Sequence, residues 1–219
     1  MREKTVKIGV LGTGFVGGTL GRRWAEAGHQ VWFGSRDPDG DKAQTLLANC
    51  PANTRVTSWI DAVEQADVIL LALPWSSVED ILKQLDGALD GKILIDCVNP
   101  LNSTFSGLEL GFTSSAAEEI AQWAPRSRVV KAFNTLSAAV MADPMFDGVK
   151  AAVFYCGDDA PALEVVGQLA NDLDFDAIVA GPLQNARYLE PFSMLYIHLA
   201  MNGWGSQCAF QVLTRPKPQ

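Results

Sequence analysis

The run Val6-Lys-Ile-Gly-Val-Leu-Gly-Thr-Gly-Phe-Val-Gly17 decides how the rest of the chain is read. Residues 6–11 are a strand-like apolar run, and Gly12-Thr13-Gly14-Phe15-Val16-Gly17 follows directly as GxGxxG. A helical pattern then covers 16–27 and stops at Gly28, a good C-cap residue. A lone GxGxxG is a weak signal, but between a strand and a helix, with a second strand some twenty residues on, it points to a dinucleotide. Gly12 permits the tight turn, Gly14 lets the backbone approach a pyrophosphate, and Gly17 lets the helix pack on the strand. Free N–H groups and the helix dipole then favour the anion. A ligand-free turn is the bland alternative, and it leaves the glycines between Gly9 and Gly21 weakening a helix for nothing.

Outward from this turn, short apolar runs alternate with longer mixed segments, as parallel strands linked by helices do. Strands are expected at 30–33, 55–57, 68–73, 92–97 and 128–133. Helices are expected at 41–48, which stops before Pro51, and at 59–65, where Ser58 and Asp61 have capping-box spacing. Further helices fit 78–85 and the segment that Ser115 and Glu118 open and Pro125 ends, with a loop over 99–114. Strands at 152–156 and 177–179 flank a helix at 161–173. A helix at 185–201, Asn202-Gly203-Trp204-Gly205, a last short helix and a frayed tail at 215–219 complete the chain. The pattern specifies an α/β fold, a Rossmann-like doubly wound parallel sheet with a small C-terminal helical segment, divided as 1–180 and 181–219.

With 219 residues, 48% hydrophobic and 19% charged, the chain has room for one large domain with a small appendage. Lys and Arg number 17 against 25 Asp and Glu, and a net charge of −8 repels a phosphate backbone, which argues against nucleic acid. Cys50, Cys97, Cys156 and Cys208 lie far apart without a CxxC pair, so neither a disulfide framework nor a metal site is signalled, and a reducing cytoplasm is expected. The chain starts without a signal-peptide pattern, and its apolar runs fall short of the ~20 residues that span a bilayer. No membrane association is expected.

The strand after the first helix ends in Gly34-Ser35-Arg36, where a carboxylate would bond the ribose 2′-hydroxyl of NAD. A guanidinium there pairs with a 2′-phosphate and stacks on adenine, and Ser35 adds a donor, so the position suits NADP. Lys42 offers a third positive contact, whereas Asp37 and Asp39 are placed to pair with Arg36. The other strand ends carry Leu73-Pro74-Trp75-Ser76-Ser77, Asn99-Pro100 and Asn134-Thr135. His29, in a turn, and His198, on an apolar helix, read as core or surface. No Tyr-x-x-x-Lys pair, Ser-His-Asp triad or carboxylate dyad is present to move a proton onto a carbonyl. Hydride exchange between two redox cofactors needs mainly close stacking and exclusion of water.

Several segments together resemble the coenzyme F420-dependent NADP oxidoreductases: the glycine turn, Gly34-Ser35-Arg36, Ala66-Asp67 to Pro74-Trp75, Cys156-Gly157-Asp158-Asp159, Ala180-Gly181-Pro182-Leu183 and Asn202-Gly203-Trp204-Gly205. The resemblance implies NADPH and a deazaflavin face to face at the strand ends, with hydride passing directly between the rings. It implies pyrophosphate contacts from Thr13, Gly14, Phe15 and Val16, 2′-phosphate contacts from Ser35, Arg36 and Lys42, and nicotinamide-side contacts from Leu73, Pro74, Ser77, Asn99 and Ala138. Asn134 stands where the archaeal pattern has a histidine, within Lys131-Ala-Phe-Asn-Thr135, which is similar to the cytoplasmic NADPH-flavin reductase domain of the six-transmembrane metalloreductases.

The chain is thus expected to be an NADP-dependent oxidoreductase linked to F420 or to a flavin, FMN or FAD, with Asn134 and Thr135 orienting the reacting rings and residues 181–219 closing the second-coenzyme pocket. The alternatives are an NADPH reductase of another small molecule and a redox sensor that binds NADP without turnover. The apolar residues of the last long helix serve the core and a homodimer surface.

Overall fold

The computed structural model describes residues 5–85 and 87–215, so the tail expected at 215–219 lies, past Arg215, outside the described residues. Strands β1 (Lys7–Leu11), β2 (Gln30–Gly34), β3 (Thr54–Thr57), β4 (Val68–Leu71), β5 (Ile93–Asp96) and β6 (Arg128–Lys131) pair in parallel. Between them lie α1 (Phe15–Glu26), α2 (Asp41–Ala48), α3 (Trp59–Gln65), α4 (Trp75–Gln84) and α5 (Ala116–Trp123). The sheet continues through β9 (Ala152–Gly157) and β10 (Asp176–Val179), giving the order β10-β9-β6-β5-β4-β1-β2-β3. Strand order reverses between β1 and β4, and in doubly wound sheets ligands sit outside the carboxyl ends of the strands at that point.

The apolar runs form strands because both faces of the sheet are covered. Alternate residues of β4 enter opposite cores, Val68 and Leu70 on one side and Ile69 and Leu71 on the other. Helix α1 buries Leu20, Trp24 and Ala25 on the first side, and α4 buries Val78, Ile81 and Leu82 on the second. The capping boxes read from the sequence form: Ser58 accepts from the Asp61 N–H and Ser115 from the Glu118 N–H.

Three expectations need correction. The sheet is not wholly parallel, because β9 runs antiparallel to β6 while β10 is parallel to β9. The connection from β6 holds only the five-residue helix α6 (Ala138–Ala142) and the hairpin β7 (Met145–Phe146) and β8 (Val149–Lys150), short of the crossover helix that a parallel return needs. Helix α4 starts at Trp75 and not at the expected 78, so Ser76 and Ser77 lie in its first turn. The last short helix does not form. After α7 (Ala160–Asn171), α8 (Ala186–Leu199) and the distorted turn Ala200–Trp204, the chain up to Arg215 is non-helical. There the Ala152 N–H donates to the Phe210 carbonyl at 2.9 Å, and the Phe210 ring lies 4.4 Å from that of Phe192.

Candidate functional site

The glycine turn sits at the carboxyl end of β1, and the structure separates its three glycines by cause. Gly12 has φ +119°, and a Cβ there would lie 2.2 Å from the Ala72 carbonyl oxygen; one on Gly17 would lie 2.0 Å from the Gly12 carbonyl oxygen. Those two are demanded by the chain's own backbone. Gly14, the residue that caps α1, has φ −78°, and a Cβ on it would meet nothing within 4 Å. The open space at a helix start with free N–H groups fits an approaching anion.

A cleft of about 500 Å³ joins that turn to the end of β2, with Gly12, Thr13, Gly14, Ser35, Arg36 and Lys42 on its wall. Among the described residues Arg36 makes no ion pair or hydrogen bond, and neither Asp37 nor Asp39 pairs with it. The Ser35 hydroxyl instead accepts from the Asp37 N–H at 3.1 Å and donates to the Asp37 carbonyl at 3.0 Å, which folds the loop back on itself. The residues present fit a phosphorylated ribose, offering two cations and a fixed hydroxyl.

Ala72, Leu73 and Pro74 also line a second cleft, of about 340 Å³, with Val16, Trp75, Cys97, Val98, Asn99 and Phe105. The two clefts therefore share a wall across the strand ends. Trp75 stacks on Trp123 with ring centroids 5.3 Å apart, giving the second cleft a firm aromatic side. Cys97 lies in it with its thiol pushed up to about 12, by burial first and by Asp96 next, so thiolate chemistry is not available there.

The expected residues distribute unevenly. Asn99 lines the second cleft and Asn134 lies behind it: the Asn134 amide donates to Asn99 Oδ1 and to the Leu189 carbonyl, both at 2.9 Å, and the Asn99 amide donates to the Asn134 carbonyl at 2.8 Å. Asn134 is 5% exposed, and its Oδ1 is buried without a partner. Thr135 is buried beside it. Ser77 lies apart from Asn99, in a third cleft shared with Ser35, Arg36, Trp59 and Asp80, because it rides on α4. Ala138 opens α6, and Phe15, at 90% exposure, is on the surface. His29 is structural. Its Nδ1 accepts from the Val6 N–H, so its Nε2 carries the proton towards Asp172, 3.1 Å away.

Sequence reasoning missed a buried charge cluster behind the second cleft. Lys131 on β6, Asp96 on β5 and Glu190 on α8 are all 0% exposed. Lys131 Nζ donates to Asp96 Oδ2 at 2.9 Å, to Glu190 Oε1 at 2.7 Å and to the Val98 carbonyl. Glu190 also accepts from the Ala116 and Ala117 N–H groups at the start of α5, and Asp96 Oδ1 accepts from the Val98 N–H. Burial alone would pull the Lys131 ammonium down, but Asp96 and Glu190 together hold it above the ordinary lysine value. Burial raises Glu190, with Lys131 opposing. The available signal was two isolated charges of opposite sign in apolar runs, since such residues are rarely buried unless paired.

The fold and the turn define a dinucleotide-binding α/β protein. A family model described as NADP oxidoreductase, coenzyme F420-dependent, matches residues 7–100. The F420-dependent NADP reductase of Methanothermobacter marburgensis is 32% identical over 207 residues, covering 89% of this chain and 92% of that protein. A crystal structure from Arthrobacter sp. FB24 superposes with a TM-score of 0.87 at 31% identity, covering 95% of this chain and 100% of that one. Metalloreductase STEAP3 of Rattus norvegicus is 34% identical over 189 residues, although this chain spans only 36% of its length. The chain belongs to the coenzyme F420-dependent NADP oxidoreductase family. Among the described residues no helix is long and apolar enough to cross a membrane.

Proposed function

We propose that this chain is an NADP(H)-dependent oxidoreductase that exchanges hydride between the nicotinamide and a deazaflavin, coenzyme F420. The observation that carries the reading is the pair of clefts sharing the Ala72–Pro74 wall, one ending in the unpaired Arg36 and the other lined chiefly by apolar and amide groups, with Glu109 as its one carboxylate and a Cys97 thiol that stays protonated. When bound, the nicotinamide supplies or takes the hydride. The chain binds and orients: Thr13, Gly14, Phe15 and Val16 at the pyrophosphate, Ser35, Arg36 and Lys42 at the 2′-phosphate, and Leu73, Pro74 and Asn99 beside the ring. Ser77, which shares a cleft with Ser35 and Arg36, supports a role on the adenine side. Asn134 and Thr135 are positioning residues, residues 181–215 close the ring pocket, and the exposed Tyr188 and Leu195 of α8 offer a face to a second copy in the cytoplasm.

A second reading, with a flavin as the other coenzyme, is favoured by Asn134 and by the metalloreductase relatives. The test follows NADPH absorbance without oxygen after adding F420, FMN or FAD. Loss with F420 supports the first reading and loss only with a flavin the second. Tight NADPH binding without loss for any acceptor would replace both with the sensor.

A further inference from the structure

A buried ion triad stabilises a fold no better than apolar residues of the same volume, so stability does not account for Lys131, Asp96 and Glu190. Its connections account for it better. Lys131 bonds the Val98 carbonyl, one residue before Asn99, and Glu190 is one residue after Leu189, whose carbonyl takes the Asn134 amide. Because a carbonyl only accepts, this bond fixes which way the Asn134 amide faces and leaves Oδ1 as the acceptor without a partner. Between Lys131 and Asn134, Phe133 sits at φ +61°, a left-handed conformation that costs a bulky residue about 1–3 kcal/mol. Its ring is held edge-on by Trp24 and Phe175 at 5.8 and 6.0 Å. Strain is retained where the surroundings over-determine a geometry, and here it lies directly beside the orphan acceptor.

We propose that Glu190, through the Lys131–Asp96–Glu190 triad, is a positioning residue that clamps α8 against β5 and β6 so that Asn134, through its reciprocal amide bonds, holds Asn99 in the wall of the second cleft where a coenzyme ring would lie. The proposal rests on the hydride-transfer reading and names the part of that site which sets ring position. The group that meets the coenzyme is the Asn99 amide in the cleft wall, and its partner is either the nicotinamide carboxamide or the second coenzyme's ring.

Glu190→Gln keeps the side chain's shape and an acceptor for α5 while removing the charge that Lys131 binds. We expect it to lower kcat by about tenfold or more, the scale of a small misplacement of reacting groups, with the NADPH Kd within about twofold of the parent. Combined with Asn134→Ala it should be no slower than Asn134→Ala alone. A kcat within about twofold of the parent, or losses that multiply, would overturn the proposal. His29→Gln, at the amino end of β2, controls for destabilisation: if it lowers kcat as much at the same distance below its Tm, positioning is refuted. Side-chain amide NMR of the unmutated chain reads the same claim without variants and without turnover. The Asn134 amide should exchange far more slowly than that of exposed Asn171, and the Asn99 amide should shift on adding NADP+ if the nicotinamide is its partner or only on adding F420 or FMN if the second ring is. Exchange as fast as that of Asn171, or no shift with any coenzyme, overturns it. Absence of NADPH oxidation with F420, FMN and FAD would instead defeat the hydride-transfer reading, leaving the amide measurement to judge the triad.

Discussion

The two halves of the groove are built by different physics. The phosphate half comes from contiguous sequence: β1, its turn and α1 set their geometry through backbone contacts alone, with glycine forced at Gly12 and Gly17 by carbonyl oxygens near 2 Å. The second half is lined from the end of β4, the start of α4 and the loop after β5, and behind it charges 35 and 59 residues apart in the chain join β5, β6 and α8. One half is therefore specified by sterics within a few residues, and the other by electrostatics that exist only after the chain has closed.

The sharpest way to break that contrast is to strip the second half of its cation. Lys131→Met leaves two buried carboxylates uncompensated and should destabilise the chain by about 3–5 kcal/mol at neutral pH, read from denaturant midpoints. The pH dependence has a definite sign. Glu190 already lies above the ordinary carboxyl value of 4.5, and losing Lys131 raises it further; such a group costs stability as pH rises through and above 4.5. The variant's deficit should shrink as pH falls towards 4.5. In the parent, the ammonium's contribution is complete below 10.5 and is lost only as pH climbs through its higher folded value.

In the phosphate half, Gly12→Ala should cost about 3 kcal/mol, combining overpacking with a left-handed backbone. Gly14→Ala should leave Tm nearly unchanged and weaken NADPH binding, because nothing in the chain fills that space. Equal thermal losses for the two would erase the distinction between them. Arg36→Ala should then reduce discrimination for NADPH over NADH by about 2–3 kcal/mol, measured by calorimetry with each nucleotide. The smallest effect is expected where α8 meets α5 near the surface. Arg187 there forms a two-bond pair with Glu118 at 2.7 and 2.8 Å, chiefly lowering the Glu118 pKa, and its removal should shift the denaturant midpoint least of these variants, because solvent screens the pair. That contribution is present above 4.5 and fades as pH drops through the lowered folded value.

The residues that work through neighbours in sequence were legible. Gly12, Gly17, both helix-capping serines and the position of Arg36 follow from local geometry or from what a strand end must present, whereas only the structure shows Arg36 free of Asp37 and Asp39. Ser77 shares a cleft with Arg36 and not with Asn99 because its helix begins at Trp75, three residues before the start expected from the sequence. Asn134 was read as a site residue, but its partners Asn99 and Leu189 lie 35 and 55 positions away. The reversal of β9 escaped notice because apolar alternation has no direction.

Apolar periodicity and the steric demands of glycine act over a few residues, so the amino-acid order by itself determined the strands, most helices and the anion-binding turn. Which charges neutralise one another, and which buried oxygen is left without a donor, depended on the packing of β5, β6, α5 and α8. Those are properties of distance and desolvation, and neither is defined until tertiary contacts have excluded water.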